Sequence, residues 1–350
     1  MQRLNDTEKI KILDSQDQFG MVAGLPRQVQ DAYEAAAEVK MQDFGELRGI
    51  AVAGMGGSAI GGDLVAAAYQ NQLDNPMSTV RGYDLPRWIG SRSLVFAVSH
   101  SGNTEETISC LGEALDRGCR VICVASGGRV ADIAREQELP LIEVPAGLQP
   151  RAALGWLSVP VAACLEGLGL LEAVQDEVGE TVAVLEQLRE LYAPDNPAEG
   201  NPAKLLAAEL EDKIPVVYGA ELTSVAALRW KTQINENSKS MAFANQFPEL
   251  DHNEIVGWQH PSGSLKDFRV IYLKDEQSHP QNNKRMNVTA ELIGKFAGSI
   301  REYVTSGHSR LARVLSSTYL GDYVSLYLAV LYGIDPSPVE RIENLKRRLA

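Results

Sequence analysis

The sequence predicts an α/β protein of two doubly wound units, each a parallel sheet flanked by helices. Three observations carry this. Residues 50–63 and 93–107 share one grammar: a run of small or branched apolar residues, a cluster of Gly, Ser and Thr, then a helical pattern. A continuous apolar run is what a parallel strand covered on both faces requires. Strand-like and helix-like segments alternate as far as Val144, and the alternation restarts after the proline-rich stretch 193–202.

In order, residues 1–47 read as mostly helical, with a polar break at 14–20 and an amphipathic helix over 25–39 that has Pro26 near its start. Strand 50–53 leads through a glycine loop into a helix ending near Gln70, and 78–81 is a short strand. Strand 94–98 leads through the loop 99–104 into a helix to about Arg117. Strand 120–125 leads through Ser126-Gly127-Gly128 into a helix to about Gln137, and strand 141–144 closes the unit. Residues 145–150 are a loop, and 152–191 an apolar helical region interrupted at Gly167 and Gly169. Beyond the linker come strand 213–218, helix 222–235, strand 269–273, helix 286–296, strand 301–304 and helix 311–332. A terminal helix follows Pro336 and Pro338. The expected division is 1–152, holding the glycine and serine loops, and 153–350, holding linker helices and a second unit without a glycine-rich loop.

The chain is long enough for two domains with sizeable cores. Its net charge of −13 argues against a general nucleic-acid binder, which needs a basic face, but leaves room for a local site for a small phosphorylated ligand. Cys110, Cys119, Cys123 and Cys164 form no CxxC pair and no zinc pattern, so they read as small buried thiols. The N-terminus is too charged for a signal peptide and no apolar run reaches membrane length, so the reading is a cytoplasmic protein with no membrane partner.

The two loops suggest what is bound. Glycines such as Gly56 and Gly57 let the backbone turn and approach a ligand closely. Free N–H groups at a helix start attract an anion. Hydroxyls of Ser58, Ser99, Ser101 and Thr104 add donors without charge. Two such loops at neighbouring strand ends would cradle one phosphate from two sides. Either loop alone reads equally as a tight strand-to-helix turn. The P-loop lysine is missing, and a dinucleotide reading of 54–59 leaves the serine-rich loop without a role.

The segment Val98-Ser-His-Ser-Gly-Asn-Thr-Glu-Glu-Thr107 resembles the signature of the sugar isomerase (SIS) fold, whose Ser-x-Ser-Gly-x-Thr loop binds a sugar phosphate; Gly54-Met-Gly-Gly-Ser58 resembles the preceding loop of that fold. Pro150-Arg151, Asn235-Glu-Asn-Ser-Lys239, Asp251-His-Asn-Glu-Ile-Val-Gly257 and Lys346 narrow the resemblance to the bifunctional phosphoglucose/phosphomannose isomerase family, over nearly the whole chain.

That resemblance implies an aldose–ketose isomerase acting on hexose 6-phosphates, without cofactor or metal, and gives each residue a role. Glu236 is the base that moves a proton between C2 and C1. Arg151 stabilises the enediolate. His252, reaching into the neighbouring subunit of a homodimer, serves ring opening near neutral pH, and Lys346 assists near O5. On residue type alone, Glu236 reads as a solvated helix-end acid, Arg151 as a surface arginine, His252 as a loop histidine and Lys346 as a solvated lysine. His100, at the unspecified position of the loop, is expected to matter through its backbone N–H. Segment 335–341 is a candidate wall near C2. Two other readings stand beside this one. A glucosamine-6-phosphate synthase would be expected to carry a glutaminase domain opening on a cysteine, whereas Gln2 follows Met1. A SIS sugar-phosphate regulator would be expected to carry a basic helix-turn-helix, for which 1–47 is too short and not basic enough.

Overall fold

The computed structural model describes residues 2–41 and 44–349. The apolar runs of the first half form strands Gly49–Ala53 (β1), Met77–Val80 (β2), Ser93–Ser99 (β3), Arg120–Ala125 (β4) and Leu141–Glu143 (β5). They make one five-stranded parallel sheet in the order β2-β1-β3-β4-β5. Every residue of β1 and β3 is buried, which is why these strands show no alternation in sequence. The order reverses between β1 and β3, and the Ala53–Ala97 register sets their C-terminal ends side by side. Such a switch point is where an open α/β sheet holds its ligand.

The second half forms Ile214–Ala220 (β6), Phe243–Phe247 (β7), Phe268–Lys274 (β8) and Ser299–Val304 (β9), a parallel sheet in the order β7-β6-β8-β9. The sequence predicts three of these strands and omits β7. That strand lies at the edge, is partly exposed and carries Asn245 and Gln246, so it lacks the apolar run that marks its neighbours. The helix predicted from 286 begins at Pro280, capped by His279, whose Nδ1 accepts from the Gln281 N–H at 3.1 Å. Its polar first turns hide the helical period.

The chain divides into two compact units that are discontinuous in sequence, whereas the sequence reading cuts it linearly at residue 152. One unit comprises Gly24–Leu185 and Gly307–Val314; the other comprises the chain up to Ala23, Glu186–Ser306 and everything from Leu315. The helix Leu154–Gly167 belongs with the first sheet because it packs on the helices Leu25–Ala37 and Gly56–Tyr69. The N-terminal segment belongs with the second sheet. There Leu4 is fully buried, and the ring of Phe19 lies 5.1 Å from that of Tyr327.

The four cysteines are free and buried, and burial pushes the Cys110 thiol up to about 11 and those of Cys123 and Cys164 up to about 12. One expectation is corrected. The helix Arg310–Tyr332 is long and apolar enough to cross a membrane, but 94% of its apolar window is buried inside the protein, so it is a core helix.

That core helix also holds polar groups in the second unit. Asp322, 2% exposed, accepts from Nε and Nη2 of Arg229 at 3.0 and 2.7 Å and from Nε2 of Gln233 at 2.9 Å. Asn237 donates to Ser325 Oγ at 2.9 Å. Trp230 donates to the Ser317 carbonyl at 2.8 Å. Arg229, Trp230, Gln233 and Asn237 all lie on one helix, Leu222–Asn237, so one face of it is locked by buried polar contacts.

Candidate active site

In the unit built on the first sheet, both predicted loops sit at the C-terminal ends of their strands. Gly56 has φ +52° and opens the helix Gly56–Tyr69, whose N-cap Met55 makes no side-chain cap bond. Ser58, in its first turn, is 5% exposed. A Cβ on Gly57 would lie 2.8 Å from the Pro150 carbonyl oxygen, so glycine is what lets the loop close on the segment bearing Arg151.

After β3, Ser99 Oγ donates to Thr104 Oγ1 at 2.9 Å, spanning the loop at its base. Thr104 is the N-cap of the helix Glu105–Asp116 but makes no side-chain cap bond. The hydroxyl of Ser101, on an exposed residue, accepts from the Asn103 N–H at 3.3 Å. Gly102, at φ +68°, faces the next loop so closely that a Cβ would fall 1.7 Å from the Gly127 carbonyl oxygen.

His100 is 9% exposed, and its carbonyl accepts from the Ser126 N–H and hydroxyl at 3.0 and 2.6 Å. Burial lowers the pKa of its imidazole from the usual histidine value. Arg151, in a short turn over Pro150–Ala152, is 5% exposed and donates to Gln149 Oε1 at 3.0 Å. It is therefore not the surface arginine that its type suggests. This unit brings Gly56, Gly57, Ser58, Ser99, Ser101, Thr104 and Arg151 to the C-terminal side of one sheet. The donors of the two loops are uncharged, and Arg151 is the fixed cation beside them.

Glu236, His252 and Lys346 lie in the other unit, on three separate segments. Among the described residues no hydrogen bond or ion pair joins any two of them. Glu236 is half-buried in the last turn of the helix Leu222–Asn237, and no described group pairs with its carboxylate. The turn beyond it is tightly bonded. Asn235 donates to the Ser240 carbonyl at 2.7 Å, and Ser238 Oγ to that of Ile234 at 2.6 Å.

His252 is exposed and ends the turn Glu249–His252. Its neighbours are anchored. Asp251 accepts from Thr289 Oγ1 at 2.8 Å, and Asn253 Oδ1 accepts from the Glu254 N–H at 2.6 Å. Glu254 accepts from Asn245 and from the buried hydroxyl of Tyr218, whose pKa is pushed up by burial and by that carboxylate. Beside this segment lies an apolar cavity of about 390 Å³ lined by Val216, Phe243, Trp258, Pro261, Leu265 and Phe268. Lys346 stands on the helix Glu340–Leu349, which has no buried residue.

Two features of the site escape the sequence reading. The first is the bracing of the serine loop. Asn103 Oδ1 accepts from the Arg129 N–H at 3.1 Å, and the Gly102 carbonyl accepts from the Val130 N–H at 2.9 Å, so the loop is tied to the helix Gly128–Glu136. The Gly127-Gly128 pair signals it, through the close approach it permits. The second is the end of β6, where Glu221 has φ +48° and its Oε1 accepts from the His279 N–H at 3.1 Å and Asn282 Nδ2 at 2.7 Å. The chain's own carboxylate thus caps the helix start in the second unit, where no glycine loop is present.

Comparison with known proteins decides the family. A bifunctional phosphoglucose/phosphomannose isomerase of Caldicellulosiruptor bescii is 44% identical over 337 residues, 95% of this chain and 98% of that protein. The chain belongs to the bifunctional phosphoglucose/phosphomannose isomerase family. A second member, from Aquifex aeolicus, is 38% identical over 88% of this chain and 92% of its own. Residues 199–349 match the family model described as the bacterial phospho-glucose isomerase C-terminal SIS domain. Among solved structures, a hypothetical protein of Thermus thermophilus superposes with a TM-score of 0.75 at 17% identity, over 98% of this chain and 94% of that one, a likeness of fold. As a member of this isomerase family the chain has the SIS fold, and Glu236, His252 and Lys346 lie within the part matched by the C-terminal model.

Proposed function

We propose that the chain interconverts glucose 6-phosphate and mannose 6-phosphate with fructose 6-phosphate through a cis-enediol(ate). The observation that carries this reading is the pair of loops at the adjacent ends of β1 and β3, with the buried Arg151 beside them. Their backbone and hydroxyl groups suit the substrate's phosphate. Glu236 takes the proton from C2 of the open-chain aldose and returns it to C1. Its unpaired, half-buried carboxylate supports that role. Arg151 balances the charge that develops on the enediolate oxygens. His252 and Lys346 move protons at O1 and O5 as the ring opens.

The protein works in the cytoplasm as a homodimer in which His252 serves the neighbouring copy. Its exposure supports this, as do exposed Phe243 and Val256 and the apolar cavity beside them.

A coupled assay with EDTA present tests the reaction. Fructose 6-phosphate formed from each aldose, tested separately, is the expected result. Binding of fructose 6-phosphate without turnover of either aldose would replace the isomerase reading with a sugar-phosphate regulator. The phosphate assignment has its own test. Ser101→Ala with Thr104→Ala raises KM for both aldoses by about 10- to 100-fold with little change in kcat, because these donors act in ground and transition states alike. Unchanged KM would place the phosphate elsewhere.

A further inference from the structure

The Lys346 helix raises a problem of placement. No residue of Glu340–Leu349 is buried, and among the described residues its side chains make no hydrogen bond or ion pair with the body of the unit. A catalytic ammonium on such a helix gains little unless the root of the helix is held, since orientation of the reacting groups is a large part of catalysis. The root is held. Pro336 and Ser337 are buried, and Asp335 Oδ1 accepts from the Ser337 N–H at 2.9 Å. The Pro336 carbonyl accepts from Lys239 Nζ at 2.9 Å.

The same ammonium donates to the Glu236 carbonyl at 2.6 Å and approaches that of Asn237 at 3.4 Å. These are last-turn carbonyls that the helix Leu222–Asn237 leaves without an internal donor, at the negative end of its dipole. Lys239 is itself at φ +57°, a left-handed conformation uncommon for a residue with a side chain and tolerated where surrounding bonds over-determine it. One cation thus bonds the backbone of the residue assigned as base and the root of the helix carrying the lysine assigned to O5.

We propose that Lys239 is a positioning residue that sets Glu236 and Lys346 in one frame. It acts through main-chain carbonyls and touches no reacting atom. The three donors of an ammonium suit three carbonyls arranged around a point. A methionine matches the stem of the side chain and supplies none.

This inference rests on the assignments of Glu236 and Lys346 made above, and one set of variants separates the two. Lys239→Met lowers kcat for both aldoses by about 10- to 100-fold with KM within threefold, and Lys239→Arg recovers part of the loss. The decisive readout is coupling. In a Lys346→Gln background, Lys239→Met costs at least threefold less than it does beside an intact Lys346, because only its hold on the Glu236 backbone then remains. A purely structural role would instead lower the unfolding midpoint while leaving kcat per folded molecule unchanged, or give equal losses in both backgrounds. Either result overturns the proposal. If Lys239→Met does not fold, the same comparison is made with Lys239→Arg. Full turnover by both Glu236→Gln and Lys346→Gln would overturn the site assignment itself, whatever Lys239 does.

Discussion

Glu236→Gln abolishes isomerisation, lowering kcat by about 10³-fold or more, while fructose 6-phosphate still binds. The substitution keeps the shape of the side chain and removes the basic oxygen. A carboxamide cannot take a proton from carbon, so the loss is larger than for a general acid–base group that only assists. Binding persists because the loops proposed to hold the phosphate belong to a different unit of the chain. Single-turnover kinetics and a binding titration on the same sample check both halves. Turnover at the wild-type rate would remove Glu236 as the base. Loss of binding together with turnover would recast it as a sugar-binding residue.

The second large effect is on stability. Asp322→Ala leaves the guanidinium of Arg229 buried without its counter-charge, with both side chains under 5% exposed in the native pair. Breaking such a pair from one side costs about 3–5 kcal/mol. That is a large share of the roughly 5–15 kcal/mol that holds a typical domain together. Replacing both partners, Arg229→Met with Asp322→Leu, should restore most of the loss, since no uncompensated charge remains. Denaturant midpoints of the three variants decide it. Equal destabilisation of the single and double variants would mean that packing, not charge, governs this contact. Arg229 and Gln233 lie on the helix Leu222–Asn237, whose last turn carries Glu236, the residue proposed as base.

The parts of the molecule legible in sequence are those whose cause is local. The strands β1 and β3 are legible because both faces are covered and every residue is apolar or small, and β4 because only its first residue, Arg120, is exposed. The two strand-to-helix loops after β1 and β3 are legible because clusters of glycine and hydroxyl residues at a strand end break the apolar run sharply. The edge strand β7 is not, since an exposed edge carries no apolar run. The bracing of the serine loop from Asn103 to Arg129 is not legible, nor is the Arg229–Asp322 pair, whose partners stand 93 residues apart. Lys239 shows the same limit. It sits in a recognisable motif, but its link to Pro336 depends on where the chain returns 97 residues later. Arg151 and Lys346 fall on opposite sides of the argument. Residue type suggests solvent for both; Arg151 is buried and Lys346 is not.

The discontinuous units have a consequence for how the chain is made. The first sheet lies wholly within 49–143, so its strands can pair while later residues are still being added by the ribosome. The other unit has no such freedom. Its segment with Leu4 and Phe19 emerges before the first sheet, yet the aromatic partners of Phe19 are Tyr323 and Tyr327, about 300 residues later in the chain. For most of translation those early apolar residues have no core to enter, a state that favours association with other chains. A segment translated ahead of the first sheet is therefore finished after it.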